Sequence, residues 1–166
     1  MKTIMVRTAS ALFCVLLLVS VGTAQSLNGD SEADVNSRFS RVLGADVGKL
    51  LQHYYLVKNG GVIELSAKDP QDQAVIKAIQ KYLDMQKDLF EKGKNESEAE
   101  VHGKAPDGLA GIKRFRNDIT FFSTGTDNGA VLRMFTVNEQ AKQAVYEFMK
   151  FEIAEHKTGD ALTAEQ

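Results

Sequence analysis

Only one cysteine, Cys14, occurs among 166 residues. One cysteine excludes a disulfide scaffold and haem attachment through Cys-x-x-Cys-His, and thiol chemistry and iron–sulfur ligation are excluded as well if Cys14 is removed with an N-terminal signal. Tryptophan is absent, with no functional consequence. Neither charge sign dominates: 20 basic residues stand against 22 acidic ones. The chain thus lacks the electrostatic footprint of a protein that binds nucleic acid or anionic lipid. A spanning helix needs roughly 20 apolar residues. The run Ala11 to Val21 is only about half that length. The familiar catalytic signatures are missing as well. There is no Gly-x-Ser-x-Gly elbow, no Gly-x-x-x-x-Gly-Lys loop, no His-x-His and no His-Glu-x-x-His. The sequence therefore reads as that of a non-enzyme.

What is present begins with an export signal. Lys2 and Arg7 form a positive n-region, Ala11 to Val21 an apolar h-region, and Gly22-Thr23-Ala24 a small-residue cleavage site. A cut after Ala24 predicts a periplasmic or secreted protein. It removes 24 of the 166 residues, and Cys14, Lys2 and Arg7 go with them. The 142 that remain carry 18 basic and 22 acidic side chains. They hold no disulfide, and no membrane attachment is expected after cleavage.

Residues 25–34 (QSLNGDSEAD) are polar and small, and read as a disordered leader. Residues 35–160 read as a single α+β domain, and 161–166 as a flexible tail. The stretch from Val35 to Leu51 is roughly helical in its apolar spacing, broken by Gly44 and Gly48. His53 to Val57 and Gly61 to Ala67 flank Asn59-Gly60, which predicts a hairpin with a type I′ turn. Asp69-Pro70 is expected to start a helix ending near Gly93, whose core face is Val75, Ile76, Ile79, Tyr82, Leu83 and Phe90. Lys94 to Lys104 reads as a polar loop and Pro106 opens a short helix. A second hairpin spans 119–137, and Asn138 caps a helix to about His156.

The halves resemble one unit used twice. Asn-Gly-Gly-Val-Ile-x-Leu at 59–65 parallels Asn-Gly-Ala-Val-Leu-x-Met at 128–134, and Gln73-Ala74-Val75 parallels Gln143-Ala144-Val145. One ββα unit cannot bury its apolar face alone. Pairing two predicts a two-layer sandwich, an antiparallel sheet with its helices packed on one face.

Four residues are candidate metal ligands. Glu152 and His156 are one turn apart within the apolar arc of the last helix, so a carboxylate and an imidazole face the same way. The competing reading leaves both in water at a protruding helix end, where a histidine suits the dipole. His102 stands between Val101 and Gly103 in the polar loop, and His53 begins a strand beside Tyr54.

From Gly60 onward the chain resembles a group of small exported bacterial proteins of unknown function. The likeness rests on Gly-Gly-Val-Ile-Glu-Leu (60–65), His102-Gly103 with Pro106 and Gly108, and Phe148-x-x-Phe151-x-Ile153-x-x-His156-x-Thr158-Gly159-Asp160. Some of that group carry the label aspartate carbamoyltransferase, but the Ser-Thr-Arg-Thr signature and twin α/β domains of that enzyme are missing here. The resemblance implies added weight for His102 and His156, both at motif positions. It also implies a reduced ligand set, because relatives often carry histidine where this chain has Asp88 and Tyr146. Two functions are therefore expected to compete. One is an exported soluble protein binding a metal ion or haem-like ligand through His102, His156, Glu152 and His53. The other is a non-catalytic interaction module, a homodimer with incidental histidines.

Overall fold

A computed structural model describes residues 31–94 and 96–164. The expected export signal and residues 25–30 of the leader lie outside the described residues. Among those described, no helix is long and apolar enough to cross a membrane.

The first helix, α1 (Glu32–Leu43), begins inside the expected leader. Ser31 and Asp34 form a reciprocal capping box there, satisfying orphan amides of the first turn. The predicted second helical piece is only one 3-10 turn, Val47–Lys49, because Leu50 and Leu51 already belong to a strand. That strand, β1 (Leu50–Val57), pairs with β2 (Gly60–Ala67), and β3 (Thr120–Thr126) pairs with β4 (Gly129–Phe135). All pairings are antiparallel and the sheet order is β1-β2-β4-β3. Helices α2 (Gln73–Glu91) and α5 (Glu139–Glu155) cover one face. The short α3 (Glu96–His102) and α4 (Leu109–Arg114) fill the crossover between the halves.

Three local expectations are corrected. Helix α2 is capped by Asp72, whose side chain accepts from the Val75 amide; Asp69 instead closes the preceding turn by accepting from Gln71. The polar stretch 94–104 contains helix α3 rather than a loop throughout. The first hairpin turns at Lys58-Asn59, and neither residue has a positive φ, so the turn is not type I′. Gly60 has φ of 139°, and a Cβ there would lie 1.8 Å from the Met134 carbonyl oxygen. Its glycine answers a close approach between β2 and β4 rather than the turn.

The two halves are related by the register of the central strands. Ile63 lies directly opposite Leu132, the residue the repeated motif makes its counterpart. Thr136 N–H donates to Asn59 O at 2.9 Å, and Ala67 N–H to Asn128 O at 2.8 Å, two equivalent bonds. A Cβ on Gly129 would meet Leu65 O at 2.0 Å, matching the Gly60 approach. Each helix also lies over the other unit's hairpin, α2 chiefly on β3 and β4 and α5 on β1 and β2. Each unit's strands are covered mainly by the other unit's helix, so the halves depend on one another to fold.

Strand alternation separates a core face, with Tyr54, Leu56, Ile63, Leu65, Phe121, Leu132 and Met134 buried, from an open face carrying Phe122 and Phe135.

Candidate metal centre

Three helices each deliver an i,i+4 pair to one buried spot. Helix α5 supplies Glu152 and, at its C-cap, His156; α3 supplies Glu98 and His102; α2 supplies Tyr82 and Gln86. Side chains four apart lie on one helix face, so two residues per helix point the same way. Contacts around α3 fix its short span. Arg38 Nε donates to Val101 O at 2.7 Å, satisfying a last-turn carbonyl, and Ser97 Oγ donates to Gln86 Oε1 at 3.0 Å.

Glu152 is the hub. Its Oε1 lies 3.1 Å from His102 Nε2 and its Oε2 3.2 Å from His156 Nε2, and all three side chains are no more than 3% exposed. Their candidate ligand atoms all fall within 4.8 Å of one another. Glu98 Oε2 is farther off, 3.9 Å from His102 Nε2, while Glu98 Oε1 accepts from the Tyr82 hydroxyl at 3.4 Å. The His102 and His156 rings meet edge-on with centroids 5.2 Å apart. Tyr54 stacks on His156, while Phe151 meets the His102 ring edge-on.

Burial opposes ionisation here, yet the two glutamates respond differently. Desolvation would raise Glu152, but the close imidazoles of His102 and His156 outweigh it and bring the carboxyl down to about 2. Glu98 lacks that compensation. Burial, reinforced by the Glu152 charge, pushes it well above its usual value and favours its protonated form. Burial likewise raises the phenols of Tyr54 and Tyr82.

The donor set fits a transition metal. Zinc bonds nitrogen and oxygen at about 2.0–2.1 Å, and tetrahedral ligands at that length stand about 3.3 Å apart. The two Glu152–imidazole contacts are close to that spacing. The outer nitrogens of both rings are also unspent: His102 Nδ1 and His156 Nδ1 are buried with no hydrogen-bond partner. Buried polar atoms normally find partners. Beside the cluster is a cavity of about 10 Å³, whose polar wall includes Tyr54, Tyr82, Gln86, Glu98, Glu152 and His156. That is room for one water-sized group. It is far below the roughly 300–1,000 Å³ of a site for a drug-sized ligand, so no haem-sized ring has space here.

Of the four sequence candidates, the structure brings together His102, Glu152 and His156. The protruding-end reading of Glu152 and His156 is overturned, because α1, α3 and β1 enclose the helix end. His53 does not join them. It points to the open face, where Nδ1 pairs with Asp160 Oδ1 at 2.9 Å, while its buried neighbour Tyr54 meets His156. Asp88 is exposed and paired with Lys87 and Lys92, and the Tyr146 hydroxyl donates to Val57 O at 2.8 Å, so neither adds to the centre. Glu98 and Gln86 were missed by sequence reasoning. Glu98 repeats the Glu-x-x-x-His spacing of α5, a signal visible once 96–102 is read as helix.

No protein-family model matches the chain, and no curated protein or solved structure matches it significantly.

Proposed function

We propose that this is an exported soluble protein that binds one divalent transition-metal ion, zinc by its donor set, through His102, Glu152 and His156. The observation that carries the reading is the buried convergence of His102, Glu152 and His156, whose candidate ligand atoms all lie within 4.8 Å of one another. Two imidazoles and a carboxylate suit zinc, with copper as the tighter-binding competitor. The N-terminal signal and the resemblance to exported bacterial proteins support a location outside the cytoplasm, and mature chain starting at Gln25 is the expected product. No nucleophile–base pair supports an enzyme.

The test is metal analysis of protein purified from the exported fraction, followed by zinc titration of the stripped protein. The reading expects one ion per chain and a melting temperature that rises with zinc. Structural zinc is worth about 10–16 kcal/mol over four ligands, so each ligand carries about 3 kcal/mol and its loss weakens binding at least about 100-fold. His102→Ala and His156→Ala are expected to show that loss. A folded wild type that carries no metal and melts at one temperature with or without zinc or copper overturns it.

The second reading, a homodimeric interaction module with incidental histidines, draws on Phe122 and Phe135, 54% and 47% exposed on the open face of the sheet. It expects a metal-free dimer by sedimentation, broken by Phe122→Lys.

A further inference from the structure

Three ligands leave a tetrahedral ion with one position to fill. Glu98 is the one further carboxylate paired with the cluster among the described residues, but its 3.9 Å separation from His102 exceeds the 3.1 and 3.2 Å spacings around Glu152, and its other oxygen is engaged by Tyr82. The cavity borders Glu152 and His156, though not His102, and extends past Glu98 to Gln86. Gln86 is 2% exposed. Its Oε1 is taken by Ser97, while its Nε2 has no hydrogen-bond acceptor in the protein. A buried amide N–H without a partner keeps its full desolvation cost, and here it belongs to a cavity-lining side chain.

We propose that this cavity is a subsite for an exogenous ligand of the bound metal. The occupant is water-sized and accepts a hydrogen bond from Gln86 Nε2: water or hydroxide at rest, exchangeable for a monatomic or diatomic acceptor. The inference rests on the metal reading above. It distinguishes a centre with an open position from a closed structural site, since structural zinc has four protein ligands and an exchangeable site has three. Phe39, Ile63, Leu65, Leu83 and Val101 complete the wall and set the size limit. An ion or molecule larger than the cavity is excluded by packing, whatever its affinity for the metal.

Cobalt(II)-substituted protein tests the subsite, because tetrahedral cobalt reports its ligands in its visible bands. Fluoride, a water-sized acceptor, is expected to shift those bands, and iodide to leave them unchanged. Gln86→Leu removes the donor. It is expected to weaken fluoride binding about tenfold, the worth of one hydrogen bond to a charged group, with cobalt affinity unchanged within about twofold. Glu98→Gln keeps the shape of the core and separates the alternatives even if the leucine variant does not fold. A fourth position outside Glu98 leaves cobalt affinity intact and the fluoride shift present. Bands insensitive to fluoride, together with cobalt binding at least about 100-fold weaker in Glu98→Gln, overturn the subsite and leave the metal reading standing. A wild-type chain that takes up no cobalt and no zinc overturns both.

Discussion

The turn of α2 carrying Tyr82 and Gln86 and the turn of α5 carrying Glu152 and His156 occupy matching places in the two ββα units, given the correspondence of Gln73-Ala74-Val75 with Gln143-Ala144-Val145. Both turns are buried and both face the same cavity. Their chemistry differs. The α2 pair is neutral, and two of its atoms are bonded to α3. The α5 pair joins a carboxylate to an imidazole, while each pair leaves buried bonding capacity unspent, at Gln86 Nε2 in one and His156 Nδ1 in the other. The fold therefore accepts a neutral pair at this position, and architecture alone does not require an ion pair. Burying charge costs free energy that only close pairing or a metal offsets.

The comparison holds only if the halves are truly equivalent in backbone, and glycine substitution is the harshest check. Gly60→Ala and Gly129→Ala each force a Cβ to about 2 Å from a carbonyl oxygen of the facing strand. Each is expected to cost about 3 kcal/mol or more in urea unfolding, with similar values at the two sites. A large loss at one and none at the other breaks the equivalence.

The next check is acid. The folded-state carboxyl of Glu152 titrates at about 2 rather than 4.5, so its stabilisation is present above the unfolded value and vanishes as pH falls from 4.5 through 2. At 1.36 kcal/mol per pH unit this is about 3 kcal/mol in the metal-free protein. Glu98 acts oppositely. Its raised folded value makes the native state hold the extra proton, so above pH 4.5 stability declines as pH rises. Unfolding free energy against pH should show both limbs, with Glu152→Gln flattening the acid one and Glu98→Gln the other. Unchanged limbs in both variants contradict the assigned charge states.

The mildest check concerns helix caps. Asn138 accepts from the Gln140 and Ala141 amides, and Asp72 accepts from Val75. Asn138→Ala is expected to cost about 1 kcal/mol by thermal melting. Asp72→Asn, which gives the first half the second half's cap, is expected to change the melt little.

The sandwich was legible because its signals are local. The hairpins stand out as β-branched runs around tight turns, and α2 and α5 as apolar positions spaced by threes and fours. Tertiary contacts were less visible. Helix α3 is only seven residues, Glu96 to His102, and its buried positions include Glu98 and His102, so no hydrophobic period announces it. Its burial comes from α1, which clamps it through Arg38. His53 was misplaced for a simpler reason. Neighbours on a strand face opposite ways, so the inward tyrosine at 54 already directs 53 outward. Gln86 carried no mark in the sequence, because an amide becomes informative only when its partners are known.

The order in which the centre's three pairs occur along the chain has a consequence for biosynthesis. Synthesis runs from the N-terminus, so Tyr82 and Gln86 emerge first, Glu98 and His102 next, and Glu152 with His156 only after every strand has been made. The helix that closes the sheet over β1 and β2 is also the one that brings the hub carboxylate. A nascent chain lacking α5 holds one imidazole of the pair and neither the hub nor the cover above β1. Assembly of the His102, Glu152 and His156 cluster is thereby tied to completion of the domain.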